Sequence, residues 1–381
     1  MAGTFSSHWW PEEEPIYEPD MLRSEVSLEQ ELAGLCVLKA ISRPDSGMQP
    51  LGDLDSDGRG TNVSALRVAL SLAQDPTTTL HLSEPRIIYG CIKLLKTIKS
   101  QRGTIFDELG PGWLCFRLLV IALDTCLLER FDKLEETLAL PNQRPNIRAA
   151  PHILVSAHLA HGIYSRFDDI TAGRCDWVFG WSISPYKPLL SASEALDLMN
   201  IIWEDRKLFL RVIYSCVATS RPGLSGLMFL FLRSIAHMKL QPNTNMRIPG
   251  ARFCELVIRY LLVADKHQRV PMILMCDTET EAFISIGTHI PRHVDPEDSR
   301  VISTAFIRQL TAGDDPDILR RREPCTMLRL VPLAIDIKAQ SLIPDVVGCI
   351  IEYGWFALPT IHEQSNKEPW GVIAIIFEAL R

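Results

Sequence analysis

"ARFCELVIRYLLVADK", residues 251–266, decides the fold class. Phe253, Leu256, Val257, Tyr260, Leu261 and Ala264 recur at i, i+3, i+4, i+7, i+8 and i+11, the spacing of one buried helix face. Arg252, Glu255, Arg259 and Lys266 fall on the opposite side, which reads as solvent-facing, with Glu255 and Arg259 four residues apart for a helical ion pair.

The same grammar extends in both directions. Residues 295–312 open with Asp295 as N-cap, Pro296 in the first turn and Glu297 and Asp298 at the positive end of the helix dipole. Ser27 and Gln30 form a capping-box pattern ahead of "LAGLCVLKAI". A second helix is expected over 62–74. A third, "EPRIIYGCIKLLKTIKS", follows Ser83 as its cap, with Pro85 where its missing N–H costs nothing. Further starts fall near Pro111, Pro151, Ser191, Gly223, Gly250, Asp295, Cys325, Pro344 and Pro369. Only "VPMILMC" (270–276) and "EAFISIGTHI" (281–290) have the composition of short strands.

The apolar run 113–128, "WLCFRLLVIALDTCLL", is interrupted by Arg117 and Asp124, whereas a membrane span needs about 20 nearly uncharged residues. Seven residues apart, the two charges share one face, which predicts a buried helix with a narrow polar stripe. No membrane partner is expected.

The net charge of −7 over 381 residues is unevenly placed: residues 1–58 carry twelve acids against Arg23, Lys39 and Arg43, which leaves the remainder near +2. A neutral body gives no electrostatic basis for nucleic-acid binding, and Arg320–Arg322 are too short a run to change that. None of the ten cysteines forms a C-x-x-C pair, and most sit in apolar runs, as in a reducing compartment. With no secretory signal in the first twenty residues, the chain is expected in the cytoplasm or nucleus and not in the secreted class.

Residues 1–26 mix Pro, Glu and aromatics without periodicity and read as a disordered acidic tail. Trp9, Trp10 and Tyr17 make it either a solubilising tail or a docking segment. Residues 27–381 read as one all-α, solenoid-like domain with a loop or linker at 43–61. About a dozen helices in Pro/Gly-punctuated succession suit an irregular α-solenoid, since each hairpin then buries its face against its neighbours. In architecture this resembles the armadillo/HEAT class of helical repeats, without that class's regular period of about 40 residues.

Three candidate sites stand out. "DLDSDG" (53–58) places Asp53, Asp55, Asp57 and Gly58 as in the first half of a calcium loop, but position 12 is Ser64 rather than a bidentate Glu. An acidic turn and a weak calcium site both fit. His158 and His161, with His152 nearby, could share a metal or an active site with Asp168, Asp169 or Cys175, or could be ordinary half-buried histidines. "GRCDWVFGWSISPYKPLL" (173–190) carries Trp177, Phe179, Trp181 and Tyr186, which either plug helix ends or anchor a partner. Signatures for nucleophile elbows, phosphate loops and zinc proteases are absent. The reading leans away from an enzyme, with no cofactor. The leading expectation is an intracellular scaffold that binds another protein. An enzyme with a dispersed site near His158, His161 and Asp168, and a calcium-modulated binder, are the alternatives.

Overall fold

The computed structural model describes residues 25–43, 60–107, 110–143, 149–167, 188–216, 221–242, 244–279, 295–311, 323–331 and 336–364. Within them the chain is helical, with no strand. The helices are α1 (Leu28–Ile41), α2 (Gly60–Ser71), α3 (Pro76–Thr79), α4 (Pro85–Arg102), α5 (Pro111–Arg130), α6 (Leu134–Gln143), α7 (Pro151–Ser165) and α8 (Ala192–Glu204). They continue as α9 (Arg206–Ser215), α10 (Ser225–Lys239), α11 (Arg247–Leu261), α12 (Lys266–Thr278), α13 (Pro296–Thr311), α14 (Glu323–Leu328) and α15 (Ile343–Gln364).

Local chemistry sets most boundaries. Ser27 Oγ accepts from Gln30 N at 3.2 Å and Gln30 Oε1 accepts from Ser27 N at 3.1 Å, the reciprocal box read from the sequence. Ser191 and Glu194 close a second one ahead of α8. Pro76, Pro85, Pro111 and Pro151 each occupy a first turn, where a fixed φ helps and no N–H is required. Gly103 ends α4 at φ 76°, a left-handed backbone that strains any side chain.

Two expectations are corrected. Pro85 takes the first helical position, so the cap of α4 is Glu84; Ser83 closes the preceding 3₁₀ turn, its Oγ donating to Leu80 O at 2.9 Å. The 270–276 run is not a strand but part of α12, because Asp265 Oδ1 caps His267 N at 2.9 Å and Gln268 N at 3.0 Å just upstream. That cap nucleates a helix which then carries Pro271 inside it. Residues 281–290 lie outside the described residues.

α5 is the axis of the N-terminal half. Seventeen of its 20 residues are buried, under α2, α4, α7 and α10. It is long and apolar enough to cross a membrane, and 94% of its apolar window is buried inside the protein. The stripe expected from its two charges is there: Asp124 is buried and Arg117 half-buried. Phe106, Trp113 and Phe116 pack with Phe209 of α9 at ring-centroid distances of 5.3–6.5 Å, which fastens the α4–α5 connection to α9. α10 is enclosed in turn by α5, α7, α8, α11 and α12. The buried apolar residues form one continuous cluster from Leu38 to Tyr353.

Arg221 joins two helix ends. Its guanidinium donates to Ile213 O and Cys216 O, each at 3.3 Å, and to Val263 O, so carbonyls at the C-termini of α9 and α11 share one cation.

Candidate functional site

The densest polar arrangement lies where α8 and α9 meet α11 and α13. At the junction between α8 and α9, the carboxylate of buried Asp205 accepts from Lys99 Nζ at 2.7 Å and from Ile105 N at 3.0 Å, which ties the junction back to α4. From there α9 reaches toward α13: Lys207 Nζ lies 3.3 Å from Asp295 Oδ2, and Arg211 Nη1 lies 2.5 Å from Glu297 Oε1. Asp295 also caps α13 as read from the sequence, its Oδ1 accepting from Glu297 N at 2.9 Å. That backbone hydrogen bond, together with Lys207, holds its carboxyl below the usual range.

Behind this outer row sits a buried one. Arg259 donates through Nη1 and Nη2 to the two oxygens of Asp298, both at 2.8 Å, and through Nε to Glu255 at 3.1 Å. Arg259 is 3% exposed. This corrects the reading of Glu255 and Arg259 as a solvent-facing pair: α8 and the start of α9 meet the polar side of α11 at Glu255 and Arg252, and Asp298 of α13, some forty residues later, meets Arg259. Glu255 also accepts from Arg206 Nε at 2.7 Å and from Trp203 Nε1 at 2.8 Å. The Trp203 ring lies 4.2 Å from the Arg206 guanidinium and 4.3 Å from that of Arg252. Arg252 donates to Asn200 Oδ1 at 2.8 Å and has no carboxylate within ion-pair distance among the described residues.

A cleft of about 160 Å³ opens between α9 and α13, lined by Lys207, Leu208, Arg211, Asp295, Glu297, Asp298 and Val301. Small-molecule sites commonly span about 300–1,000 Å³. The cleft is smaller than that range. Three of its carboxylates already face cations, which leaves them poorly suited to exchange protons with a substrate. Alternating fixed charges suit recognition of a complementary polar segment.

A second polar cluster is sealed in the core. Asp124 of α5 hydrogen-bonds Ser156 of α7, Gln268 Nε2 of α12 donates to Ser156 Oγ at 3.2 Å, and Ser225 Oγ of α10 donates to Gln268 Oε1 at 2.6 Å. Asp124 Oδ1 has no partner, and burial pushes its carboxyl well above the usual range. The cluster fastens four helices.

The sequence-derived sites fare differently. His158 is half-buried, its Nδ1 2.9 Å from Leu154 O, and burial lowers its pKa; His161, one turn on, is exposed. His152 points elsewhere, its Nδ1 3.1 Å from Ala73 O, and burial lowers its pKa to about 4. No group of three metal-capable side chains converges among the described residues. Asp168, Asp169 and Cys175, with which the histidines were grouped, lie outside those residues. Trp9, Trp10, Tyr17, Asp53, Asp55, Asp57, Trp177, Phe179, Trp181 and Tyr186 lie outside them too; of the acidic stretch, only Gly60 onward is described, as the start of α2. Trp203, Arg206, Arg252 and Asp298 were missed as a site. No local pattern in the sequence marks them, since they come from four separate helices, α8, α9, α11 and α13.

No protein-family model, curated protein or solved structure matches this chain.

Proposed function

We propose that the chain is an intracellular, non-catalytic scaffold whose helices stack in an irregular armadillo/HEAT-like array and bind another protein along the α8–α11 surface. Packing between chain neighbours, α1 on α2, α4 on α5 and α11 on α12, supports the stack, and the enclosure of α5 and α10 makes it irregular. The observation that carries the reading is Trp203 held between two guanidiniums, one of which, on Arg252, has no acid of its own among the described residues. Tryptophan and arginine dominate binding hot spots, and a half-buried arginine without a counter-charge selects an acidic segment in its partner.

The test is affinity capture with the tagged full chain, comparing wild type with Arg252→Glu and Trp203→Ala. A stoichiometric partner retained by wild type and lost by both variants supports the reading. A partner bound equally by all three removes it from this surface. Adding calcium or chelator to the same capture separates out a calcium-modulated contact through Asp53, Asp55 and Asp57.

A further inference from the structure

α1 is apolar on two sides. Gly34, Leu38 and Ile41 face the core, packed on α2 and α4. On the other side Leu28 is 72% exposed and Leu32 56% exposed, with half-buried Leu35 and exposed Cys36 next along the same line. A helix that carries a second, exposed leucine row has a face still to cover.

The spacing and the charges specify what covers it. Glu25, Leu28, Leu32, Leu35 and Lys39 follow one another at steps of 3, 4, 3 and 4, the repeat of a two-helix seam. Exposed Glu25 and Glu29 stand at the N-terminal end and exposed Lys39 at the C-terminal end. A second α1 laid antiparallel, with the two-fold axis level with the 33–34 peptide, sets Leu32 against the other copy's Leu35 and brings Glu29 beside its Lys39. A parallel copy would set acid on acid and lysine on lysine. The row is therefore complementary to itself in one orientation only.

We infer that α1 is an isologous homodimer contact in which two copies of the chain pair antiparallel through Leu28, Leu32 and Leu35. One helix face buries less than the roughly 800 Å² per partner of a standard interface, so the dimer is weak and its dissociation constant high. The contact is separate from the α8–α11 surface and does not depend on the reading given to it.

Sedimentation velocity of the full chain across about 1–300 μM measures that constant. The expected result is a concentration-dependent monomer–dimer equilibrium, weakened at least tenfold by Leu32→Glu with no change in the thermal unfolding midpoint, since Leu32 contributes nothing to the core. Glu29→Lys and Lys39→Glu each weaken it, and the double variant restores it by exchanging the two ends. A chain that stays monomeric throughout, its α1 face taken by another protein or by its own N-terminal segment, overturns the proposal. So does a dimer indifferent to Leu32→Glu, or one that the double charge exchange fails to restore. Arg252→Glu leaves the equilibrium unchanged, which keeps this test apart from that of the α8–α11 surface.

Discussion

α5 and α11 are both core helices with a charged residue on the buried side, and they settle that charge in opposite ways. Asp124 on α5 has hydroxyl and amide neighbours, no cation, and one oxygen without a partner. Arg259 on α11 is as deeply buried but meets Asp298 with two hydrogen bonds and Glu255 with a third. Burial favours the neutral form at the first site; pairing keeps the charge at the second. An ionisable group in a core thus reports on its neighbours more than on its own chemistry. It also decides which perturbation the site feels: pH for the first, loss of a partner for the second.

The sharpest way to break this comparison is to orphan the pair. Arg259→Met leaves Asp298 buried without its cation, and such losses cost about 3–5 kcal/mol. Denaturant unfolding should show that loss, and Arg259→Met combined with Asp298→Leu should recover much of it, since an apolar pair leaves no isolated charge. If the double variant is no better than the single, Arg259 is held by packing and not by pairing.

Next in size is crowding around Asp124. A Cβ on Gly226 would lie 2.5 Å from Asp124 Oδ1 and 2.8 Å from Leu159 Cδ2. Gly226→Ala is expected to cost about 1–3 kcal/mol as overpacking, read from the same unfolding curves.

Asp124→Asn comes third and differs in kind, because its effect changes with pH. Burial raises the folded pKa above the unfolded value, so the folded state binds more protons between the two. Wild-type stability then falls as pH rises from about 4, the ordinary aspartate value, toward the raised folded pKa, and levels off above it. Below that window the group contributes its full stability. The asparagine variant lacks this slope, so its advantage over wild type should grow with pH; parallel stability profiles would show that Asp124 is not protonated in the fold.

The smallest effect belongs to the rim. The Arg211–Glu297 pair is largely exposed, and Arg211→Ala should cost no more than about 1 kcal/mol. Most of that small difference should vanish in high salt, where exposed pairs are screened.

How much of this was legible in the sequence follows from the range of each interaction. Capping boxes, first-turn prolines and the Asp295 cap act within three or four residues, and the helices they begin stand where the sequence placed them. α5 was legible as well, because an almost uniformly apolar 20-residue helix with two charges on one face has few places to go. The apolar side of α11 was read correctly and its polar side was not, since the cover over Arg259 comes from α13. Trp203 became a candidate only when α8, α9 and α11 met around it. The strand-like composition of 270–276 lost to Asp265, a cap two residues before His267 that outweighed the run's apparent preference. Three-dimensional convergence leaves no local mark.

The Arg259–Asp298 pair also sets a timetable for synthesis. Asp298 is made 39 residues after Arg259, a delay of about 2–8 s at ordinary elongation rates of roughly 5–20 residues per second. Glu255, four residues before Arg259, is already made by then, and its carboxylate accepts from both Arg259 Nε and Arg206 Nε. Of the two carboxylates that meet Arg259, the one within its own helix is thus made before it and the one on α13 well after it.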